Sequence, residues 1–167
     1  MESKKHLTDW LRDAHAMEEQ AQSILKRQSK RLENYPELRN RIDRHIEETR
    51  DQKLRLERLL DRFDGGPSAV KDTVSKVLGN MSAIFNAAAS DEVVKNSIAN
   101  YAFEHFEIAS YRSLIAAAEA VGDDVVAREC RSILAEEEAM ASWMEDHLAQ
   151  VTKSFLSREE AGMEAKH

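Results

Sequence analysis

Several glutamates of this chain occupy helix faces where apolar residues belong. In IANYAFEHFEIASYRSLIAAAEA, residues 98–120, Glu104 and Glu107 stand among Phe103, Ile108, Tyr111 and Leu114. On a wheel of about 100° per residue, Glu107 points near the centre of the apolar side and Glu104 nearer its edge. His105 falls with Lys95 and Arg112 on the polar side. The anomaly recurs elsewhere. Glu18 lies between Ala14, Ala21 and Leu25, with Glu19 pointing away, and Glu137 is flanked by Ile133, Leu134, Met140 and Met144. Glu136 sits at the edge of that stripe and Glu138 outside it. Glu48 lies at a margin beside His45, Gln52 and Leu59, with Thr49 at the centre of its stripe.

The spacing links these acids. Glu18 and Glu48 are 30 residues apart, as are Glu107 and Glu137, although the repeat is imperfect in the surrounding apolar positions. An ionised carboxylate in a low-dielectric core costs several kcal/mol even after relaxation, so grouped acids must be protonated, paired with cations or bound to metal. Carboxylates and imidazoles projecting from facing helices are the ligands of di-iron and di-manganese bundles. Oxygen donors with a histidine suit Fe or Mn better than soft metals. His45, three residues before Glu48, can share one metal with it; a partly exposed surface histidine is the competing reading. The structural alternative for the whole set is an acid cluster neutralised by Arg or by protons. Tyr101 and Tyr111 are placed to donate to a carboxylate, Met140 and Met144 read as core, and Cys130 is alone in an apolar stripe.

Four long helices must position these groups. Apolar spacing predicts the first from Thr8 to about Leu32 and the second from about Glu37 to Phe63, separated by ENYPEL, where Pro36 opens a helix but disfavours one at Tyr35. DGGP (64–67) ends the second. The third covers about 91–121 and ends at Gly122, and the fourth begins near Asp123 or Asp124. Residues 153–167 read as a polar tail that frays, beyond a core at about 7–152. Short joins make two antiparallel hairpins. The long link between them, with a short amphipathic helix expected at Val70 to Leu78, gives an all-α, ferritin-like antiparallel four-helix bundle with one crossover. An elongated helical protein that completes its core by dimerising is the alternative.

The 167 residues suit a single domain, able to bury about 70% of the unfolded surface. Five Gly and two Pro leave few turns, which agrees with long helices. A net charge of −7 opposes nucleic acid as a partner, with only the small basic run KRQSKR (26–31) against it. No signal-peptide core or membrane-spanning run is present, and one cysteine excludes an intrachain disulfide, so a cytoplasmic location is expected.

The blocks LRDAHAMEEQ (11–20), RHIEET (44–49), EHFEIASYRSLIAAAEAVGDD (104–124) and ILAEEEAMASWM (133–144) resemble the YciF/YciE-type family of bacterial stress-associated, ferritin-like proteins over about residues 7–150. The third block is the most specific. The resemblance implies a ferritin-like bundle, often dimeric, with a candidate dinuclear metal site. Its acids fall on Glu18, Glu48, Glu104, Glu107, Glu136 and Glu137, with His45 beside them. Gln52 stands where members often carry His, and no Glu-x-x-His occurs in the second or fourth helix. The expectation is a homodimeric bundle holding Fe (di-iron) or Mn, intact or vestigial, in stress defence with iron binding or O₂ and peroxide chemistry. The alternative is a non-enzymatic structural or interaction dimer whose acid cluster holds no metal.

Overall fold

The computed structural model describes residues 2–63 and 89–167. It contains α1 (Glu2–Ser29), α2 (Pro36–Leu60), α3 (Glu92–Val121) and α4 (Asp124–Glu160), with no strand among the described residues. α1 starts six residues earlier than its periodicity predicts, because ESKKH favours helix and carries Leu7 and Thr8 into burial. It also stops earlier, at Ser29, where two tight turns let Leu32 and Tyr35 fold back into the core. α2 begins at Pro36, as the proline requires, and ends at Leu60 rather than Phe63. The expected helix at Val70 to Leu78 lies outside the described residues.

α1 packs against α2 and α3, and α4 packs against α3 and α2. One apolar cluster joins the start of α1, the ends of α2 and α3, and the start of α4, through Leu7, Leu11, Leu60, Ala118 and Val126. A second joins Leu25, Leu38, Ile42, Val93, Met140 and Met144 at the other end. α2 and α3 are therefore parallel, and the chain leaves α2 at one end of the bundle and joins α3 at the other. That is the one-crossover, ferritin-like arrangement rather than an up-down-up-down bundle.

The α3–α4 corner follows from local chemistry. Gly122 adopts φ 73°, and the amides of Gly122 and Asp123 donate to the carbonyls of Glu119 and Ala118, which satisfies the last turn of α3. The Asp123 carboxylate accepts from Val126 N at 3.1 Å, capping α4, and from both Arg62 guanidinium nitrogens.

The expected frayed tail is a correction. α4 continues to Glu160, and the residues after it turn back onto the bundle. Tyr35 Oη donates to Ala165 O at 2.5 Å, and Val93 N donates to Lys166 O at 3.0 Å. These bonds run to backbone carbonyls, which apolar periodicity does not register. Because Gly122 holds a left-handed φ, Gly122→Ala is expected to cost about 1 kcal/mol of stability. Asp123→Ala should lose about as much through the cap. Urea unfolding monitored by circular dichroism measures both, and an unchanged midpoint would contradict this account of the corner.

Candidate metal centre

Between the two apolar clusters lies a polar layer. Glu18 comes from α1, His45, Thr49 and Gln52 from α2, Glu104, Glu107 and Tyr111 from α3, and Glu137 from α4; all are buried. On α2 the core-facing positions His45, Thr49 and Gln52 follow one another at helical spacing, so this helix carries the polar layer rather than acids alone.

His45, Glu104, Glu107 and Glu137 each offer one ligand atom within 4.8 Å of the others. His45 Nε2 is 3.3 Å from Glu104 and 3.5 Å from Glu137. On its other side, Nδ1 meets Glu48 at 2.8 Å. A carboxylate on one imidazole nitrogen fixes the ring and aims the other, the arrangement that supports metal-ligating histidines. Glu104, expected near the edge of its stripe, is buried, and so is His45; the surface reading of that histidine does not hold.

The other expected acids are placed differently. Glu18 is fully buried beside the group and accepts from Tyr111 Oη at 2.5 Å. Glu48 stands outside it, held by Arg41 at 3.2 Å and Arg44 at 3.2 Å as well as by His45. Glu136 is also outside, paired with Arg55 and bonded by Gln52 Nε2 at 2.9 Å. Gln52 donates to Glu137 as well, so one amide ties the outer acid to the inner one. Tyr101 packs edge-on against His105 and against the apolar cluster of Leu38, Ile42 and Met144. Thr49, read at the centre of its stripe, is buried there, whereas Arg55 was missed by the sequence reading. The sign of Arg55 was its position three residues after Gln52, on the inner margin of α2.

Burial dominates the electrostatics. It raises the Glu18 and Glu107 carboxyls well above the ordinary 4.5, and neighbouring carboxylates add to the rise. Burial likewise outweighs the nearby His45 to bring Glu104 to about 7. For His45, burial lowers the pKa, but the facing Glu104, Glu137 and Glu48 outweigh it and raise it well above 6.5. Burial would raise Glu48, yet His45 and Arg41 hold it at about 2. Cys130, buried among apolar residues, is pushed up to about 12, too high for thiolate ligation at neutral pH.

The residues present fit a hard or borderline divalent cation. Both oxygens of Glu107, and one each of Glu18, Glu104 and Glu137, are buried without a hydrogen-bond partner. Unpartnered buried carboxylate oxygens are rare in native cores, and a cation satisfies them together. Oxygen donors with one imidazole match Fe(II) or Mn(II).

The raised acids fix a pH dependence. Glu104 binds more protons folded than unfolded, so its contribution is fully present below about 4.5 and is lost as pH rises through about 7. Glu18, Glu107 and His45 shift in the same direction, so their contributions also fall with rising pH. Glu48 has the opposite sign, but its contribution is lost only as pH falls below its ordinary value towards about 2. With chelator present, the midpoint of thermal unfolding should therefore fall between about pH 5 and about pH 8, and Glu107→Gln should flatten the slope. A midpoint constant or rising across that window contradicts the assignment.

Solved structures share this architecture. A protein from Xanthomonas campestris pv. campestris is 37% identical with a TM-score of 0.79, and the alignment covers 95% of this chain and 99% of that one. YcfI of Rhodopseudomonas palustris, provisionally described as a structural protein, is 27% identical with a TM-score of 0.74, over 86% of this chain and 92% of its own. The E. coli stress protein YciF shares the fold at 22% identity and a TM-score of 0.77, over 88% of this chain and 94% of its own. The sequence pattern of the family described as Domain of unknown function (DUF892) matches residues 2–157. With that match across both hairpins, and with YciF among the similar folds, the chain belongs to the DUF892 family, as the resemblance of its acid-bearing blocks implied.

Proposed function

We propose that this protein is a ferritin-like metal-binding bundle that takes Fe(II) or Mn(II) at His45, Glu104, Glu107 and Glu137, with Glu18 alongside. The observation that carries the reading is Glu107, whose two carboxylate oxygens are buried at the centre of the polar layer with no protein partner. A residue so placed would hold a bound cation together with His45, Glu104 and Glu137. When bound, iron or manganese supplies the one-electron chemistry that O₂ or peroxide reduction needs.

The chain's own groups do the rest. Glu48, anchored by Arg41 and Arg44, holds Nδ1 of His45 so that Nε2 faces the acids. Arg55 engages Glu136, and Gln52 carries that restraint inward to Glu137. Tyr111 holds Glu18 and can keep a proton at its Oη, since burial and the facing acids raise its pKa well above 10. Binding displaces protons from His45 and the raised acids, so affinity increases with pH. A role in stress defence and a homodimeric state belong to the same proposal.

A second reading has its own support. Protonated His45 already pairs with Glu104 and Glu137, and arginines hold Glu48 and Glu136. A metal-free structural or interaction protein satisfies much of the layer in this way. Anaerobic Fe(II) or Mn(II) loading, followed by elemental analysis after desalting, separates the two. The metal reading expects up to about two ions per chain. It also expects a stabilisation of about 2.7 kcal/mol at a free-ion level near 100 Kd, with both effects lost in a Glu107→Ala, Glu137→Ala double variant. Absence of retained metal in the parent protein overturns it.

A further inference from the structure

The acid cluster connects to one end of the bundle by a row of polar side chains that its proposed ligands do not explain. On the inner side of α3, Asn96, Asn100 and Glu104 succeed one another at four-residue spacing, opposite Gln28 and Ala21 of α1. Asn100 Nδ2 donates to Gln28 Oε1 at 2.8 Å, with Asn100 3% and Gln28 7% exposed. That bond leaves Gln28 Nε2 without a partner, and Asn96 Oδ1 and Glu104 Oε2 are likewise unpartnered. Buried polar atoms of this kind need an explanation, and ordered water is the usual one. Two cavities of about 10 Å³, each the room of one water, flank Asn100. The outer one reaches Asn96 and His167, and the inner one reaches Ala21 and Glu104. From Asn96 to Glu104 the helix rises about 12 Å.

We propose that this row is the passage by which water and a small hydrated divalent cation reach the acid cluster, and that residues 164–167 form a strap closing its outer mouth. The cation part rests on the metal reading above. The strap accepts four hydrogen bonds at its backbone carbonyls, one of them from Arg158 Nε to Glu164 at 2.5 Å. Tyr35 Oη donates to Ala165, Val93 N to Lys166, and Asn34 Nδ2 to His167 at 2.7 Å. Ala165 is buried, and His167 lines the outer cavity with Nδ1 unpartnered. Arg55 on Glu136 and Arg41 on Glu48 stand at the rim of the acid cluster beside α2. A guanidinium repels an approaching cation. Arg31 lines the outer α1–α3 cavity but is paired at two nitrogens with Glu92, and beyond it the route runs past the neutral amides of Asn96, Gln28 and Asn100 to the Glu104 carboxylate. Four hydrogen bonds and one buried alanine hold the strap, and so short a segment opens at a lower free energy than the helices it covers.

Two readouts test this. An Asn100→Cys reporter is placed in a Cys130→Ala background, since Cys130 is the only cysteine of the chain. Methyl methanethiosulfonate should label it about fivefold faster when Tyr35→Phe removes one strap bond, the equilibrium worth of one neutral hydrogen bond. Deleting residues 164–167 should speed labelling further. In stopped-flow Mn(II) uptake, Tyr35→Phe should load faster and Asn100→Leu slower than the parent, with unchanged final stoichiometry. Labelling indifferent to both strap changes overturns the strap. Uptake unaffected by Asn100→Leu but accelerated by Arg55→Gln places the route between α2 and α4 and overturns the passage. If no Mn(II) binds to the parent, the metal reading and the cation role fail together, while labelling still decides whether the strap closes a water path.

Discussion

The cost of burying carboxylates between two apolar clusters governs the rest of this molecule. Glu18, Glu104, Glu107 and Glu137 are at most 2% exposed, in a bundle whose net stability is expected to be of order 10 kcal/mol. Fully ionised and unpaired, four such groups would consume that margin. The layer therefore persists only with protons, cations or metal among its members. The shifts agree: burial raises Glu18 and Glu107 well above the ordinary carboxyl range and Glu104 to about 7, and His45 holds its proton against burial.

The arginines show how the chain divides its acids. Glu48 and Glu136 lie at the rim of the layer, partly exposed, and each receives a guanidinium. The inner four residues receive none from the described residues. Charge is thus neutralised by fixed cations at the rim and left to an exchangeable species at the centre. The same division gives the rim acids a positioning role. Glu48 aims His45, and Glu136 anchors the Gln52 amide that restrains Glu137. A replacement of Arg55 therefore reaches the centre through two side chains without touching it.

The inner acids were legible because a glutamate in the middle of a 3.6-residue apolar stripe contradicts its surroundings, and Glu107 and Glu137 do so most plainly. Glu104 looked marginal because the wheel of α3 is diluted by Asn100, Ser97 and Ser110. The structure shows why, since Asn100 faces inward onto Gln28. His45 and Gln52 could not be ranked from α2 alone, where polar residues occupy successive core positions and only the opposing helices decide which face is buried. The one-crossover topology was legible from the long link between two short-joined hairpins, and the family resemblance implied the same fold. The docked strap was not legible, because its contacts are side-chain donors meeting backbone carbonyls, and no residue pattern in MEAKH encodes them.

Protons in the buried layer stand, on the metal reading proposed above, in the place of a cation. Calorimetric titration with Mn(II) near pH 7, repeated in two buffers of different ionisation enthalpy, measures the ions bound and the protons released together. The account predicts binding with net proton release, reduced in Glu107→Gln. Binding without proton release, or no binding at all, would contradict it.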